Sequence, residues 1–207
     1  GLRPAAKYET TWERIAKAVR DHVRVEHRPQ TYRHMATMLL LTHALRNADC
    51  HAKNLALLYT RHDDAQLAPA YDMITTAAYP DYAKNPPAIQ MAGKKTWTPG
   101  KTLHTFNTAV FGLSLREQAD IVDQIAAAIA DVGPMVRMAM DEHRGFVEIG
   151  KRMLVAWHEG ISGLRDKRIY ALGQAELGDA FLGLPDSEPV KPERTVLGRS
   201  ELLGSRQ

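Results

Sequence analysis

Apolar residues recur at helical spacing over most of this 207-residue chain. Trp12, Ile15, Ala16, Val19 and Val23 mark one face of an amphipathic helix over about 11–26. Thr10 and Glu13 stand at the spacing of a capping box at its start. Arg28-Pro29-Gln30 breaks that helix, and Thr31 is placed to cap a second one running to about Leu45. The centre of this second helix, Met35-Ala36-Thr37-Met38-Leu39-Leu40-Leu41, is apolar on nearly every side, which predicts burial all round.

The pattern then changes. Leu55-Ala56-Leu57-Leu58-Tyr59 reads as a short strand, Arg61-His62-Asp63-Asp64 as a polar turn, and Gln66-Leu67-Ala68 as a returning strand ended by Pro69. From Thr75 to Gly100, with Pro80, Pro86, Pro87 and Pro99, the chain predicts an irregular segment holding a short strand at Ala88–Ala92. Helices resume after Pro99. Ser114 and Glu117 form a second capping box, and Val122, Ile125, Ala126 and Ile129 make the buried stripe behind it. A further helix includes Met135–His143 and Phe146–His158, with a break near Gly145, and a last one follows Ile161 and ends near Gly183. Met35, Met38, Met135, Met138 and Met140 fall at helical spacing and read as core. Residues 185–207 hold three prolines among charged and small residues and read as a loose tail. The expected fold is mainly α with a small β-hairpin, one domain over 1–184 and a flexible tail over 185–207.

Composition narrows the class. At 44% hydrophobic and 25% charged residues, the chain is an ordinary globular one, long enough for a sizeable core. The 27 basic and 24 acidic residues leave a net charge of +3, too small an excess to argue for nucleic acid. Cys50 is the only cysteine, so no intramolecular disulfide forms and a cytoplasmic compartment is expected. No apolar run reaches membrane-spanning length. The chain opens on Gly1 rather than Met, which reads as a cloning scar or a fragment boundary.

The chemistry concentrates in Asn47-Ala48-Asp49-Cys50-His51-Ala52-Lys53-Asn54, followed beyond the hairpin by Tyr71-Asp72. Phosphoryl transfer needs an Asp to orient and deprotonate the attacking hydroxyl, and an Asn and an Asp to hold magnesium against the phosphates. Asp49 and Asn54 have the five-residue step of the kinase catalytic loop. Asp-x-His-x-x-Asn is also the form seen in lipid kinases of the phosphatidylinositol type. The hairpin would return Asp72 beside Asn54. A kinase also needs a glycine-rich phosphate loop and a phosphate-binding lysine on an N-terminal lobe. Only 48 residues precede Asp49, and after Gly1 the next glycine is Gly93, so that lobe is expected to be absent from this chain.

The octet together with Leu67-Ala68-Pro69-Ala70-Tyr71-Asp72 resembles the C-terminal domain of the HipA-like toxin kinases. The similarity runs from about Lys7-Tyr8-Glu9 to Gly112-Leu113-Ser114, and Ile89-Gln90-Met91-Ala92-Gly93-Lys94 is similar to a short segment that follows the metal Asp there. Arg46 stands where the family usually carries Gly, a residue that tolerates positive φ more readily. The resemblance implies the C-terminal lobe of a protein-kinase-like fold and a serine/threonine kinase using ATP and Mg2+. It implies Asp49 as catalytic base and Asn54 and Asp72 as metal ligands. His51, Lys53, Asn54, Tyr71 and Asp72 would bind ATP. It also implies a HipB-like, DNA-binding antitoxin as partner in a bacterial toxin–antitoxin system. Some members phosphorylate aminoacyl-tRNA synthetases, so a protein substrate of that kind is expected, with no direct nucleic-acid contact.

Other readings compete. His51 serves either as a phosphate contact or as a structural support for the loop, and Lys53 either as a phosphate contact or as a solvated cation. A zinc site of His43, Asp49 and His51 lacks the usual ligand spacing. Cys50 lies in no thiol-enzyme motif and reads as a small loop residue. Gly160-Ile161-Ser162-Gly163 matches the Gly-x-x-Gly of RNA-binding KH loops but reads better as a helix–helix turn, and Arg165–Arg168 as a solvated face. At the level of function, the rivals are a non-catalytic protein-binding module derived from a kinase lobe and a metal-dependent phosphoesterase using Asp49, His51 and Asp72.

Overall fold

A computed structural model describes residues 7–59, 61, 64–98, 100–164 and 181. The last predicted helix beyond Leu164, the basic stretch at 165–168 and the tail at 185–207 lie outside the described residues, Phe181 excepted. Helix dominates, as the apolar spacing predicts. Among the described residues five α-helices run in chain order: α1 (Trp12–His22), α2 (Arg28–Leu45), α3 (Lys101–Phe111), α4 (Leu115–Glu142) and α5 (Val147–Leu164). Two short strands, β1 (Leu57–Leu58) and β2 (Gln66–Leu67), form one antiparallel hairpin.

Helix α2 is the central element. Met35, Ala36, Met38, Leu39, Leu40 and Ala44 are buried, and α1, α3, α4 and α5 all pack against it. The buried stripe of α4, including Val122, Ile125, Ala126 and Ile129, joins Leu103, Trp157 and Ile161 in the same core.

The helix ends depart from the sequence reading in instructive ways. The N-cap of α1 is Thr11, whose hydroxyl accepts from the Arg14 amide at 3.2 Å, so Thr10 makes no capping box. Glu13 instead accepts from the Ala92 amide at 2.8 Å, while the Trp12 amide donates to Gln90 O at 3.0 Å. The expected strand at 88–92 is thus reduced to single bridges, Gln90 with Thr11 at the start of α1 and Met91 with Lys94 across a tight turn. Arg28 and Pro29 begin α2 rather than merely ending α1, as the first helical turn tolerates the missing proline N–H.

Further along, α4 continues through Gly133-Pro134, joining two segments read as separate helices. Pro134 faces solvent, and Ile129, Gly133 and Val136 keep the buried stripe unbroken across it. The break expected near Gly145 is present as a short 3-10 turn over Arg144–Phe146. Gly160–Gly163 forms no turn: it lies inside α5. A Cβ at Gly160 would stand 2.2 Å from Ala44 O, so this glycine lets α5 touch the backbone of α2. Met35 and Met38 are core residues as read, whereas Met135 and Met138 are exposed on α4.

Candidate active site

The C-terminal end of α2 mounts the loop. Arg46 adopts a left-handed conformation (φ 53°, ψ 47°), and its amide together with that of Asn47 closes the last turn onto His43 O and Thr42 O. The position that favours glycine therefore keeps its left-handed shape with arginine in it. The Arg46 guanidinium lies 5.3 Å from the Trp97 ring centroid, an attraction that offsets part of the strain. His43, one turn earlier, donates Nδ1–H to Leu39 O at 3.0 Å and meets Trp97 edge-on. Burial, with the Arg46 charge adding to it, holds His43 down at about 4. Its ring is therefore neutral at pH 7.

Hydrogen bonds then fix the loop against the segment after Asp72. Asn47 spans the two: its Oδ1 accepts from the Asp49 amide at 3.0 Å and its Nδ2 donates to Asp72 O at 3.3 Å. Thr76 adds a second tie, its hydroxyl accepting from the Ala48 amide at 2.7 Å and donating to Arg46 O at 2.9 Å. The neighbouring Thr75 hydroxyl accepts from Trp157 Nε1 of α5 at 2.7 Å. The hairpin supplies the return path. Leu57 pairs with Leu67, and the Ala68 amide donates to Ala56 O at 2.8 Å, which directs the next residues back across the loop.

This return brings Asn54 and Asp72 into contact. Asn54 Nδ2 donates to Asp72 Oδ2 at 2.8 Å across 18 positions of sequence. Asn54 is buried at 2% exposure, whereas Asp72 faces solvent with a left-handed backbone (φ 56°) that Asp tolerates better than most residues. The pair therefore forms a floor open on one side. Its donors, an amide oxygen and a carboxylate, are the hard oxygen ligands that Mg2+ takes, and one or two such groups are enough when substrate phosphates complete the shell. The residues present fit that ion.

Asp49 is half-buried, and its Oδ1 accepts from the Tyr8 hydroxyl at 3.1 Å. Lys7, beside Tyr8, has its ammonium pKa raised, chiefly by its contact with Tyr8 and further by the charges of Asp49 and Asp72. Both carboxylates thus lie within electrostatic reach of one cation.

The remaining sequence candidates divide. His51 is buried, its ring edge-on to Tyr8 at 5.5 Å, and its Nδ1 has no hydrogen-bond partner among the described residues. Lys53 projects into solvent while its carbonyl accepts from the Tyr71 hydroxyl. Tyr71 therefore ties the two halves of the site together. Cys50 is buried and its thiol is pushed up by burial, with Asp72 and Asp49 adding to the rise, so it is no thiolate nucleophile at neutral pH. His43 lies under Trp97, with its Nδ1 committed to the helix backbone. Among the described residues no three His, Cys, Asp or Glu side chains assemble as a metal centre. Thr75, Thr76 and Tyr8 went unnoticed as site residues in the sequence. Only Tyr8, inside the run where the family resemblance begins, carried any signal.

Among the described residues no helix is long and apolar enough to cross a membrane. Comparison with known proteins bears on the family. A protein of Sinorhizobium fredii (strain NBRC 101917 / NGR234) named "Putative kinase Y4mE" is 36% identical over 94 residues, covering 42% of this chain and 21% of that protein. The chain thus spans about a fifth of the length of the curated relative it matches. The family model of the HipA-like C-terminal domain matches residues 1–132, more than half of the chain and all of the loop, hairpin and Asp72 segment. The chain belongs to the HipA-like C-terminal domain family.

Proposed function

We propose that this chain is the catalytic C-terminal lobe of a HipA-like serine/threonine protein kinase that moves the γ-phosphoryl group of ATP to a protein hydroxyl. The observation that carries the reading is the Asn54–Asp72 contact, made over 18 positions and joined through Asn47 to the backbone of Asp49. A structural Asp or Asn in a loop requires no such return.

In this reading Asp49 accepts the proton of the attacking serine or threonine hydroxyl. The oxygen forms a bond to the γ-phosphorus, the bond to the β–γ bridging oxygen breaks, and ADP departs. Asn54 and Asp72 would hold Mg2+, which when bound neutralises charge on the phosphates. Lys53, free to swing, is suited to a phosphate oxygen, whereas the burial of His51 favours loop support over phosphate contact. The glycine-rich loop and its lysine would come from sequence outside these residues. Cytoplasmic location, a HipB-like antitoxin, a role as toxin and an aminoacyl-tRNA synthetase as substrate belong to the same proposal.

A second reading rests on Leu58, Tyr59, Tyr71, Ile74, Tyr79 and Tyr82, which are exposed around the hairpin and the segment after Asp72. That surface would suit a protein-binding module that docks without catalysis. ATP titrations of the protein encoded by the whole reading frame, with and without magnesium, separate the two. The kinase reading expects magnesium-dependent binding that survives in Asp49→Ala and is lost in Asp72→Ala. Binding lost in Asp49→Ala and kept in Asp72→Ala would reverse the two roles. No magnesium-dependent binding at all would favour the docking module.

A further inference from the structure

We propose that Tyr8 is a positioning residue for Asp49, fixing which carboxylate oxygen takes the substrate proton; the inference rests on the kinase reading above. Asp49 is anchored through its backbone, where the amide meets Asn47 Oδ1. Its side chain has two rotatable bonds beyond that anchor. Among the described residues the Tyr8 hydroxyl, 3.1 Å from Oδ1, is its hydrogen-bond donor. A base that must meet a hydroxyl within hydrogen-bond reach works only if its free lone pairs point one way. With Oδ1 held by Tyr8, Oδ2 becomes the atom that accepts the proton.

Tyr8 is itself held at several points. Its carbonyl accepts from Lys95 Nζ at 3.2 Å. Its ring meets His51 edge-on at 5.5 Å, and the Lys7 and Lys95 ammonium groups lie 4.7 and 6.0 Å from its centroid. One aromatic residue, 41 positions away in sequence, thus touches both Asp49 and His51 of the catalytic loop. These contacts hold the ring in place, so its hydroxyl stands at a fixed point beside Asp49 Oδ1 and favours one rotamer of that side chain.

The test is Tyr8→Phe in the whole-reading-frame protein, which keeps the ring on His51 and removes only the hydroxyl. Steady-state kinetics, amide hydrogen exchange and the unfolding midpoint are measured together. The expected result is kcat lower by up to about tenfold, the size of losing one side-chain hydrogen bond. KM for ATP stays within about twofold, the midpoint is unchanged, and exchange quickens at Asp49, Cys50 and His51. A parallel loss in kcat, KM and midpoint would overturn the proposal by showing a general structural role. Unchanged kcat and exchange in an active protein would overturn it while leaving the kinase reading intact. Phosphate found on Tyr8 of the wild type would also overturn it, making Tyr8 an acceptor. A wild type inactive with ATP in which Tyr8→Phe still quickens exchange at Asp49 would refute the kinase reading and support the hold on Asp49.

Discussion

Thr76 shows how much of the site depends on residues without reactive chemistry. Its hydroxyl serves the Ala48 amide and the Arg46 carbonyl at once, so a similarly shaped residue without the hydroxyl leaves both half-buried groups unpaired. Thr76→Val should lower stability by about 1–3 kcal/mol, read by chemical denaturation, and reduce phosphoryl transfer further than that loss explains. A variant as stable and as active as the wild type would remove Thr76 from the account. At this scale Asp49, Asn54 and Asp72 were legible as candidates, from the five-residue step and from the hairpin that returns Asp72 to Asn54. Tyr8 and Thr76 were not, since a hydroxyl that reaches 28 or 41 positions along the chain leaves no local pattern.

Between elements, the decisive contact is α5 against the end of α2. Gly160 has no room for a methyl group beside Ala44 O, and Ala44 precedes Asp49 by five residues. Gly160→Ala should therefore force the helices apart, costing about 1–3 kcal/mol by thermal or chemical unfolding. The same end of α2 carries a pH dependence. His43 is held neutral in the fold at about 4 against an ordinary 6.5, so between those values the unfolded chain binds a proton that the folded one refuses. Its stabilising effect is fully present above pH 6.5 and is lost as pH falls towards 4, a change on the order of 3 kcal/mol. Denaturation at pH 7 and pH 4.5 should show a smaller difference in His43→Leu than in the wild type; an equal difference would clear His43 of this role. Helix positions followed from apolar periodicity, but their joins did not. The segments on either side of Pro134 read as separate helices, yet Pro134 lies on the solvent side of a continuous α4, and Gly160–Gly163 reads as a turn yet lies inside α5 with Gly160 against α2. Both depend on which side a neighbouring helix occupies.

For the molecule as a whole, the described residues bring Asn54 and Asp72 together beside the loop of Asp49, and on the kinase reading a phosphate cradle must be added to them. No glycine lies between Gly1 and Gly93 to let a backbone loop wrap phosphates ahead of Asp49. Purified as these 207 residues, the chain should transfer phosphate poorly, because even ~1 Å of misplacement costs about 10²-fold. Robust turnover by this chain alone would show that the cradle is dispensable. The family resemblance carried the sequence reading furthest at this scale, since the octet and the Tyr71-Asp72 pair together are more specific than either is alone. The most direct measurement is transfer of labelled γ-phosphate from ATP, with magnesium, by the protein of the whole reading frame and its Asp49→Ala variant. The account predicts label on protein serine or threonine with the wild type, and a loss of about 10²–10⁴-fold in a variant that still folds and binds ATP. Equal labelling by the two proteins, or none by the wild type with ATP bound, would contradict it.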